Sequence, residues 1–383
     1  MIDSVGSKSL TLIFTFVTVI SMTGSAQVSP KQVSPEKIDA LFSKFSSTCE
    51  PGCAVLVVKD GTPVFRKGYG VTDLRSLHAI GPETNFRLAS LTKQFTATAI
   101  MLLVHDGKLK YDDHLTNVFP DFPAYGKAIT IQQLLNHTSG LTDYESILEK
   151  QYPGVPDEKI PQIKDADVLE LLKRQTGTKF PPGTRWDYSN SGYVVLAMVV
   201  EKKSGMSFGN FLRERIFRPL VMSHTVAYEK DKNEVANRAY GHTLTRGTWR
   251  ETDQSSTSAT LGDGGVYTSL DDLGKWDRAL TRHTLITEQE MAPALVPPTI
   301  AHRAPLQTLD GVPAPLYGFG WFLGPYRGHR RYAHYGETVG FRTAIQRFPD
   351  DGLTVIVFAN RAEVDAPTLA ENVADLYLAR AAK

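Results

Sequence analysis

Ser90 and Lys93 have the residue types and the spacing that covalent catalysis on a carbonyl group requires. They stand three positions apart at the start of the apolar segment "SLTKQFTATAIMLLV". On a helix, this spacing places both side chains on one face, one turn apart. A lysine that loses its proton in an apolar environment can accept the proton of a serine hydroxyl, and the serine oxygen then attacks the carbonyl carbon. The pair therefore indicates a nucleophile and a base.

Two other serines match simple catalytic patterns, but their surroundings favour structural roles. Ser207 is the centre of "GMSFG", which fits the nucleophile elbow of α/β-hydrolases. An elbow needs a strand before the serine, whereas the residues before Ser207 read as a helix that ends at Gly205. We therefore predict that Ser207 caps the next helix, and an α/β-hydrolase that uses Ser207 is the weakest alternative. Ser34 and Lys37 repeat the Ser-x-x-Lys spacing, but Ser34 reads as a helix N-cap.

Two further motifs bring polar groups that could serve such a serine. Tyr188 and Asn190 belong to "YSN", in a loop that opens a predicted helix, and His334 and Gly336 belong to "HYG", on a predicted strand. Taken in order, Ser-x-x-Lys, Tyr-x-Asn and His-x-Gly are much more specific than any one of the three motifs. His137, in "NHTSG", is expected to fix a loop through hydrogen bonds and not to act as a base.

With these motifs in this order, the chain resembles the serine β-lactamase and penicillin-binding-protein-like hydrolases. The likeness is to the class C side of that family, with its related esterases and D-amino-acid peptidases. It extends to "LLNHTSGL" at 134–141, "PPGTRWDYSNSGY" at 181–193 and "YGFGW" at 317–321. The resemblance implies a β-lactamase/transpeptidase-like fold and an activity on small-molecule ester, peptide or lactam substrates.

Carried over position by position, the resemblance also implies a mechanism. Ser90 attacks the carbonyl and forms an acyl-enzyme, while Lys93 and Tyr188 move the serine proton, either of them as the principal base. The backbone N–H groups of Ser90 and Glu337 form the oxyanion hole, and neither a metal nor an organic cofactor is needed. The residues that the resemblance assigns to substrate binding are Asn190, His334, Tyr335, Gly336 and Glu337.

Two positions depart from the β-lactamase pattern. His334 stands where β-lactamases carry a lysine that attracts the substrate carboxylate, and Tyr335 stands where they usually carry a small hydroxyl residue. These departures favour an esterase or a D-amino-acid peptidase or carboxypeptidase, with β-lactam hydrolysis weak. The alternative in another functional class is a penicillin-binding sensor or receptor that is acylated at Ser90 and turns over slowly.

The elements that must position these residues predict an α+β fold. "CAVLVVKDGTPVFRKGYG" reads as a hairpin that turns at Asp60–Gly61, and "GFRTAIQRFPDDGLTVIVFAN" reads as another that turns at Asp351–Gly352. Strands at both chain ends most simply complete one antiparallel sheet flanked by helices. We predict an α/β lobe from about 27–110 and 300–383, with a mainly helical lobe at about 111–299 inserted between them.

The N-terminus has the features of a secretory signal. Leu10–Ile20 is an apolar run of 11 residues with Lys8 before it and small residues up to Ala26 after it. The run is too short to span a bilayer, which needs about 20 apolar residues. We expect residues 1–26 to be removed, leaving a secreted or periplasmic hydrolase domain at 27–383 without a stable membrane span.

Charge and cysteine content add limits on partners. The 383-residue chain has a formal net charge of +1, which gives no reason to expect a nucleic acid or an anionic membrane as partner. Cys49 and Cys53 are the only cysteines. They could close a small disulfide in an oxidising compartment, or Cys53 could pack as a small apolar side chain at the start of a strand. The sequence favours neither alternative.

Overall fold

The two ends of the chain meet in one antiparallel sheet, as the sequence predicts. The computed structural model describes residues 1–2, 33–300, 304–311 and 313–378, so the predicted signal sequence lies outside the described residues apart from Met1 and Ile2. All features below belong to the compact unit Ser34–Lys383. The strands are β1 Cys53–Lys59, β2 Thr62–Tyr69, β3 Phe86–Arg87, β4 Val226–Ala227, β5 His242–Thr245, β6 Thr248–Glu251, β7 Val266–Thr268, β8 Thr299–Ile300, β9 Ala304–Pro305, β10 Phe322–Tyr326, β11 His329–Thr338, β12 Phe341–Phe348 and β13 Leu353–Ala359.

The main sheet has the strand order β10-β11-β12-β13-β1-β2. The near-continuous apolar segments become its central strands, and β13 is buried along its whole length because layers cover both faces. The hairpin turn falls at Asp60–Gly61, where both residues have positive φ, as two-residue hairpin turns require. The α+β architecture with a sheet from both chain ends is confirmed.

Helices cover this sheet and fill the region between the two chain ends. Helix α11 packs on β12 and β13 beside α1, and α9 packs against β1. Within the described residues, no helix has the length and apolar character needed to cross a bilayer. The α-helices are α1 Pro35–Phe42, α2 Lys93–His105, α3 Leu115–Val118, α4 Ile131–Leu135, α5 Tyr144–Gln151, α6 Asp165–Lys173, α7 Asn190–Ser204, α8 Phe208–Leu212, α9 Leu270–Thr281, α10 Glu288–Met291 and α11 Ala366–Ala374.

Helices α2 and α7 pack against each other, and each begins at a residue singled out by the sequence motifs. Helix α2 begins at Lys93 and is buried from there to Leu103, as its nearly uniform apolar sequence predicts. Helix α7 begins at Asn190. The contact between these two helices therefore brings the second motif to the first.

The segment 205–209 is a turn between two helices. Gly205 ends helix α7 with a φ of 73°, and Ser207 caps helix α8 by accepting a hydrogen bond from the backbone N–H of Asn210 at 3.4 Å. Because a helix and not a strand precedes Ser207, the nucleophile-elbow interpretation is wrong. The prediction that Ser207 is a helix cap is confirmed.

Some local predictions need correction. The apolar stripe of "TLAENVADLYL" predicts a helix through Leu376 and Tyr377, but α11 ends at Ala374 and turns follow. Within the predicted helical region, short strands β4 and β7 form a second sheet together with β3 of the preceding region, and β5 pairs with β6. These strands have only two to four residues, which is too short for an alternation of apolar and polar residues to reveal them in the sequence.

The cysteines do not form a disulfide. Both are free, with Cys49 exposed and Cys53 completely buried at the first position of β1. Burial raises the pKa of the Cys53 thiol well above its usual range. Of the two alternatives from the sequence, packing of Cys53 as a small apolar side chain is the one that the structure supports.

Candidate active site

Ser90 lies in a tight turn that leads into helix α2. The turn is the 3-10 helix Ala89–Thr92, and Ala89 before the serine has a φ of 48°, which non-glycine residues rarely adopt. The backbone of the turn is tied to a neighbouring strand, because the Leu88 N–H donates to the carbonyl of Val266. Ser90 itself remains partly exposed. A strained, anchored turn thus presents one hydroxyl to solvent.

Lys93 is completely buried, and its ammonium nitrogen reaches three oxygen atoms. The Nζ atom lies 2.9 Å from Ser90 Oγ, 2.8 Å from Asn190 Oδ1 and 3.1 Å from the carbonyl oxygen of Asp263. The last two oxygens can only accept, so they fix two N–H groups of the lysine. The third direction points at Ser90 Oγ. In a neutral lysine this direction would hold the lone pair, which is the geometry for taking the serine proton.

Asn190 is held in one orientation by two acidic residues of the loop and helix that begin at residue 143. Its backbone N–H donates to Asp143 Oδ2 at 2.6 Å, and its side-chain Nδ2 donates to Glu145 Oε1 at 3.2 Å. Because Nδ2 is engaged by a carboxylate, Oδ1 is the atom that faces Lys93. The sequence predicted Asn190 near Lys93 but not the two carboxyl groups that orient it.

Tyr188 reaches the site through its ring. Lys93 Nζ lies 5.0 Å from the centroid of the Tyr188 ring, a distance typical of a cation–π contact. The ring also packs against His137 at 4.2 Å between centroids. Within the described residues, no hydrogen bond joins the Tyr188 hydroxyl to Ser90 or Lys93. Of the two candidate bases, Lys93 is therefore the one in direct contact with Ser90 Oγ.

Gly336 allows strand β11 to approach the Ser90 turn. A Cβ at this position would lie 2.1 Å from the carbonyl oxygen of Leu88 and 3.1 Å from the backbone nitrogen of Ser90, and the first distance excludes any side chain. Thr343, paired with Gly336 on β12, donates its hydroxyl to the same Leu88 carbonyl at 2.8 Å. Glu337, the next residue of β11, lines the cleft beside Ser90. The third motif thus lies next to the nucleophile turn.

The other two residues of the third motif point in different directions. His334 is buried, with Nε2 bonded to the Tyr317 hydroxyl at 3.0 Å and Nδ1 bonded to the Tyr335 carbonyl at 2.8 Å. Burial and the nearby charge of Lys93 lower the pKa of His334 to about 3, so the ring is neutral. Tyr335 is 49% exposed and stacks on Phe322. A substrate-facing side chain at His334 was expected, and the structure places an internal, fully bonded one there.

Carboxyl groups dominate the cleft around Ser90. Glu145, Asp263 and Glu337 line it, whereas the guanidinium of Arg87 is turned to Ser258. Glu145 is exposed as a residue, but its carboxyl group lies close to surrounding protein, and this partial loss of solvent together with the charges of Asp143 and Asp263 raises its pKa to about 7. The described residues contain no group of three or more metal-ligating side chains suited to an ion. Among the described residues that line the cleft, three carboxyl groups thus lie near Ser90, and Glu337 is also paired with Arg342 at 2.8 Å.

Comparison with known proteins identifies the family. Residues 38–378 match the Beta-lactamase family. The chain belongs to this family. It is 31% identical to a penicillin-binding protein of Bacillus subtilis, over 87% of this chain and 73% of that protein. It is also 31% identical to the D-aminopeptidase of Brucella canis, over 81% of this chain and 56% of that protein. The crystal structure of a penicillin-binding protein from Bacillus halodurans has a TM-score of 0.72 and 28% identity, covering 88% of this chain and 97% of that one.

Family membership agrees with the arrangement of the cleft. The fold is the β-lactamase/transpeptidase-like α+β fold, and the protein is a serine hydrolase of amide or ester bonds. Sequence reasoning missed the carboxyl groups of Asp143, Glu145 and Asp263 in the cleft. The only signal for Asp143 and Glu145 was the acidic start of "TDYESILEK", which reads equally well as the first turn of a solvated helix.

Proposed function

We propose that Ser90 is the nucleophile of this serine hydrolase and that Lys93 is the base that first receives its proton. The observation that carries the proposal is the contact between Lys93 Nζ and Ser90 Oγ, with the other two directions of the lysine fixed by acceptor-only oxygens. The step starts from the neutral amine of Lys93: as the bond between Oγ and the carbonyl carbon forms, the serine proton passes to the Nζ lone pair, which becomes an ammonium. The backbone N–H groups of Ser90 and Glu337 receive the developing oxyanion.

The second half of the reaction returns the proton. The bond from the carbonyl carbon to the leaving nitrogen or oxygen breaks, and the proton held at Lys93 passes to that atom beside the Tyr188 ring, whose centroid lies 5.0 Å from Lys93 Nζ. Water then attacks the acyl-enzyme and releases the acid and free Ser90. Asn190 keeps the lysine in place throughout, because both ends of its amide are engaged.

The charge of the cleft supports a substrate with a free amino group next to the scissile carbonyl. An ammonium group would be attracted by Glu145 and Asp263, whereas the carboxylate of a β-lactam would meet these acidic side chains and would find no cation at the buried, neutral His334. The exposed face of Tyr335 adds an apolar surface for a side chain. The likeness to a D-aminopeptidase points the same way. We therefore place the activity with D-amino-acid peptides, amides or esters, with β-lactam hydrolysis weak.

A substrate panel with matched variants tests this proposal. D-alanine p-nitroanilide, its N-acetyl derivative, p-nitrophenyl butyrate and nitrocefin are compared with wild type, Glu145→Gln and Glu149→Gln. Glu149 is an exposed residue of the same helix and serves as the control. A charge-assisted contact of about 1.5–3 kcal/mol predicts a loss of roughly 10- to 100-fold in kcat/KM for the free-amine substrate with Glu145→Gln. The N-acetyl substrate should change little.

Other outcomes would overturn this assignment. If wild type prefers the N-acetyl substrate, the proposed amine recognition is wrong. If nitrocefin gives one equivalent of product in a burst and no steady rate, and the amide and ester substrates are untouched, the protein is the slow-turnover penicillin-binding sensor. Equal activity of wild type and Ser90→Ala would remove Ser90 from the mechanism altogether.

We also propose export of the protein, on the basis of the N-terminal sequence alone. Expression of the full chain in a bacterial host, followed by N-terminal sequencing of the protein from the periplasmic or culture fraction, tests it. A mature N-terminus close to Gln27 is expected. An intact N-terminus in the cytoplasmic fraction would contradict export.

A further inference from the structure

His137 is attached to the chain on both sides of Tyr188. It follows helix α4, is 1% exposed, and has a φ of 60°. Its carbonyl oxygen accepts the backbone N–H of Asp187 at 3.0 Å, and its ring Nδ1 accepts the backbone N–H of Ser189 at 3.2 Å. The residues immediately before and after Tyr188 are thus bonded to one histidine. The sequence-based expectation that His137 fixes a loop is confirmed.

The His137 ring also limits where the Tyr188 ring can lie. The two centroids are 4.2 Å apart, and Tyr317 packs on the histidine from another direction at 4.6 Å. Because no described residue forms a hydrogen bond with the Tyr188 hydroxyl, the place of the phenol depends on its backbone and on ring packing. His137 contributes to both.

The bonding pattern fixes the tautomer of His137. A backbone N–H can only donate, so Nδ1 is unprotonated and the proton of the neutral ring is on Nε2. Burial and the charge of Lys93 hold the pKa of His137 well below its usual range, so the ring stays neutral. A protonated ring would carry an N–H at Nδ1 directed against the N–H of Ser189. The neutral form is therefore the one that holds this loop.

We propose that His137 is a positioning residue that holds the Tyr188 phenol over Lys93. This inference rests on the proposed catalytic role of Tyr188. The positive φ of His137 is an unfavourable backbone conformation. In this conformation His137 forms the two hydrogen bonds to the residues on either side of Tyr188. His137 acts through Tyr188 and does not touch the substrate.

Two substitutions separate the hydrogen bond from the ring. His137→Asn keeps an acceptor oxygen near the place of Nδ1, and asparagine tolerates a positive φ better than most residues. His137→Phe keeps an aromatic ring against Tyr188 but leaves the Ser189 N–H without its acceptor. His242→Phe is the matched control for the loss of a buried imidazole, since His242 is also completely buried, lies on β5 and is not among the residues that line the Ser90 cleft.

The test measures kcat and KM on p-nitrophenyl butyrate, with thermal unfolding of each variant to confirm folding at the assay temperature. A misplacement of about 1 Å can cost on the order of 100-fold, so His137→Phe should lower kcat by roughly 10- to 100-fold with KM nearly unchanged. His137→Asn should recover most of this loss, and His242→Phe should leave kcat close to wild type.

A double-mutant cycle decides whether the effect runs through Tyr188. If His137 acts by placing the phenol, His137→Phe should cost less than about 3-fold in a Tyr188→Phe background, because coupled residues are not additive. Full additivity, or His137→Asn as damaging as His137→Phe, would overturn the inference. So would wild-type kcat in Tyr188→Phe.

The same assay separates this inference from the proposed function. If Ser90→Ala is inactive and Tyr188→Phe has a lowered but measurable kcat, while His137→Phe retains wild-type kcat, the proposed function stands and the positioning role is wrong. If Ser90→Ala is fully active, the proposed function fails first.

Discussion

Ser90 and Ser207 both stand at the start of a helix, but they differ in which groups their hydroxyls meet. Ser207 is exposed, and its Oγ accepts the backbone N–H of Asn210 as an ordinary helix cap. Ser90 Oγ lies 2.9 Å from a completely buried lysine. A serine in such a motif is therefore catalytic only where the fold places a base beside its hydroxyl and holds that base in position.

The backbone conformations before the two serines also differ. Gly205 before Ser207 adopts a positive φ at no steric cost, as helix-ending glycines do. Ala89 before Ser90 adopts a positive φ with a side chain, and strand β11 and residue Val266 hold its turn in place. Strain that surrounding structure maintains is typical of functional sites. The two turns therefore reflect two uses of one residue type.

The largest expected effect is the loss of activity at Ser90. Replacing the nucleophile removes the covalent pathway, so Ser90→Ala should lower kcat/KM for p-nitrophenyl butyrate by at least about 1000-fold, as in other nucleophile deletions. Ser207→Ala in the same assay should keep wild-type activity. Equal losses of kcat/KM in Ser90→Ala and Ser207→Ala would contradict a catalytic role for Ser90 alone.

The glycines of the two motifs sharpen the comparison further. A Cβ at Gly336 would overlap the Leu88 carbonyl at 2.1 Å, so Gly336→Ala must displace β11 from the Ser90 turn and should lower kcat by roughly 100-fold. At Gly209, inside "GMSFG", the nearest atom would be 3.5 Å away, so Gly209→Ala should leave kcat unchanged. Steady-state kinetics of the folded variants check both expectations, and an active Gly336→Ala would contradict the packing argument.

The next effect is a pH dependence of substrate preference, which we expect because Glu145 lines the Ser90 cleft. Because the pKa of Glu145 is raised to about 7, its carboxyl is neutral below that pH and becomes a carboxylate above it. The preference for D-alanine p-nitroanilide over its N-acetyl derivative should therefore rise from pH 5 to about 7, and fall again above about 8 as the substrate amine, with its usual pKa of about 7.7–8.0, loses its proton. The carboxyl groups of Asp143 and Asp263 and the ammonium of Lys93 also face Glu145.

Glu145→Gln provides the control for this profile. This variant should remove the rise in preference between pH 5 and about 7. It should keep the fall above about pH 8, because that fall comes from deprotonation of the substrate amine. An unchanged acidic limb in Glu145→Gln would mean that another group sets the preference.

The smallest effect concerns the stability contributed by Ser207. Loss of a serine N-cap typically costs about 1 kcal/mol, so Ser207→Ala should lower the free energy of unfolding by that amount. Urea unfolding at equilibrium measures this difference. A loss of activity without a loss of stability would instead assign Ser207 a chemical role.

The sequence predicted those features that repeat along the chain or occur as a complete set. Apolar segments with Asp–Gly turns predicted the sheet from both ends, and the uniform apolar face after Ser90 predicted buried α2. The ordered motifs predicted that Ser90, Lys93 and Asn190 would meet, and in the structure hydrogen bonds join them. The residue pattern was sufficient for these features because local backbone preferences and burial favour the same structure in these segments.

Features that depend on distant partners could not be predicted. Glu145 meets Asn190 across 45 positions of sequence, and its helix start looks like that of any solvated helix. The run "DDLGKW" predicts Asp271 and Asp272 as caps of helix α9, but Ser269 caps it by accepting the N–H of Asp272. The burial of His334 likewise depends on Tyr317, which comes from another segment. Such contacts follow from tertiary packing and leave no local signal.

The most direct test of the central claim is to find which serine becomes acylated or phosphonylated. The protein is treated with a fluorophosphonate or a penicillin, digested, and mapped by peptide mass spectrometry, with Ser90→Ala and Ser207→Ala as controls. The account predicts one adduct, on the peptide that contains Ser90, in wild type and in Ser207→Ala, and none in Ser90→Ala. An adduct on Ser207, or one that persists in Ser90→Ala, would contradict it.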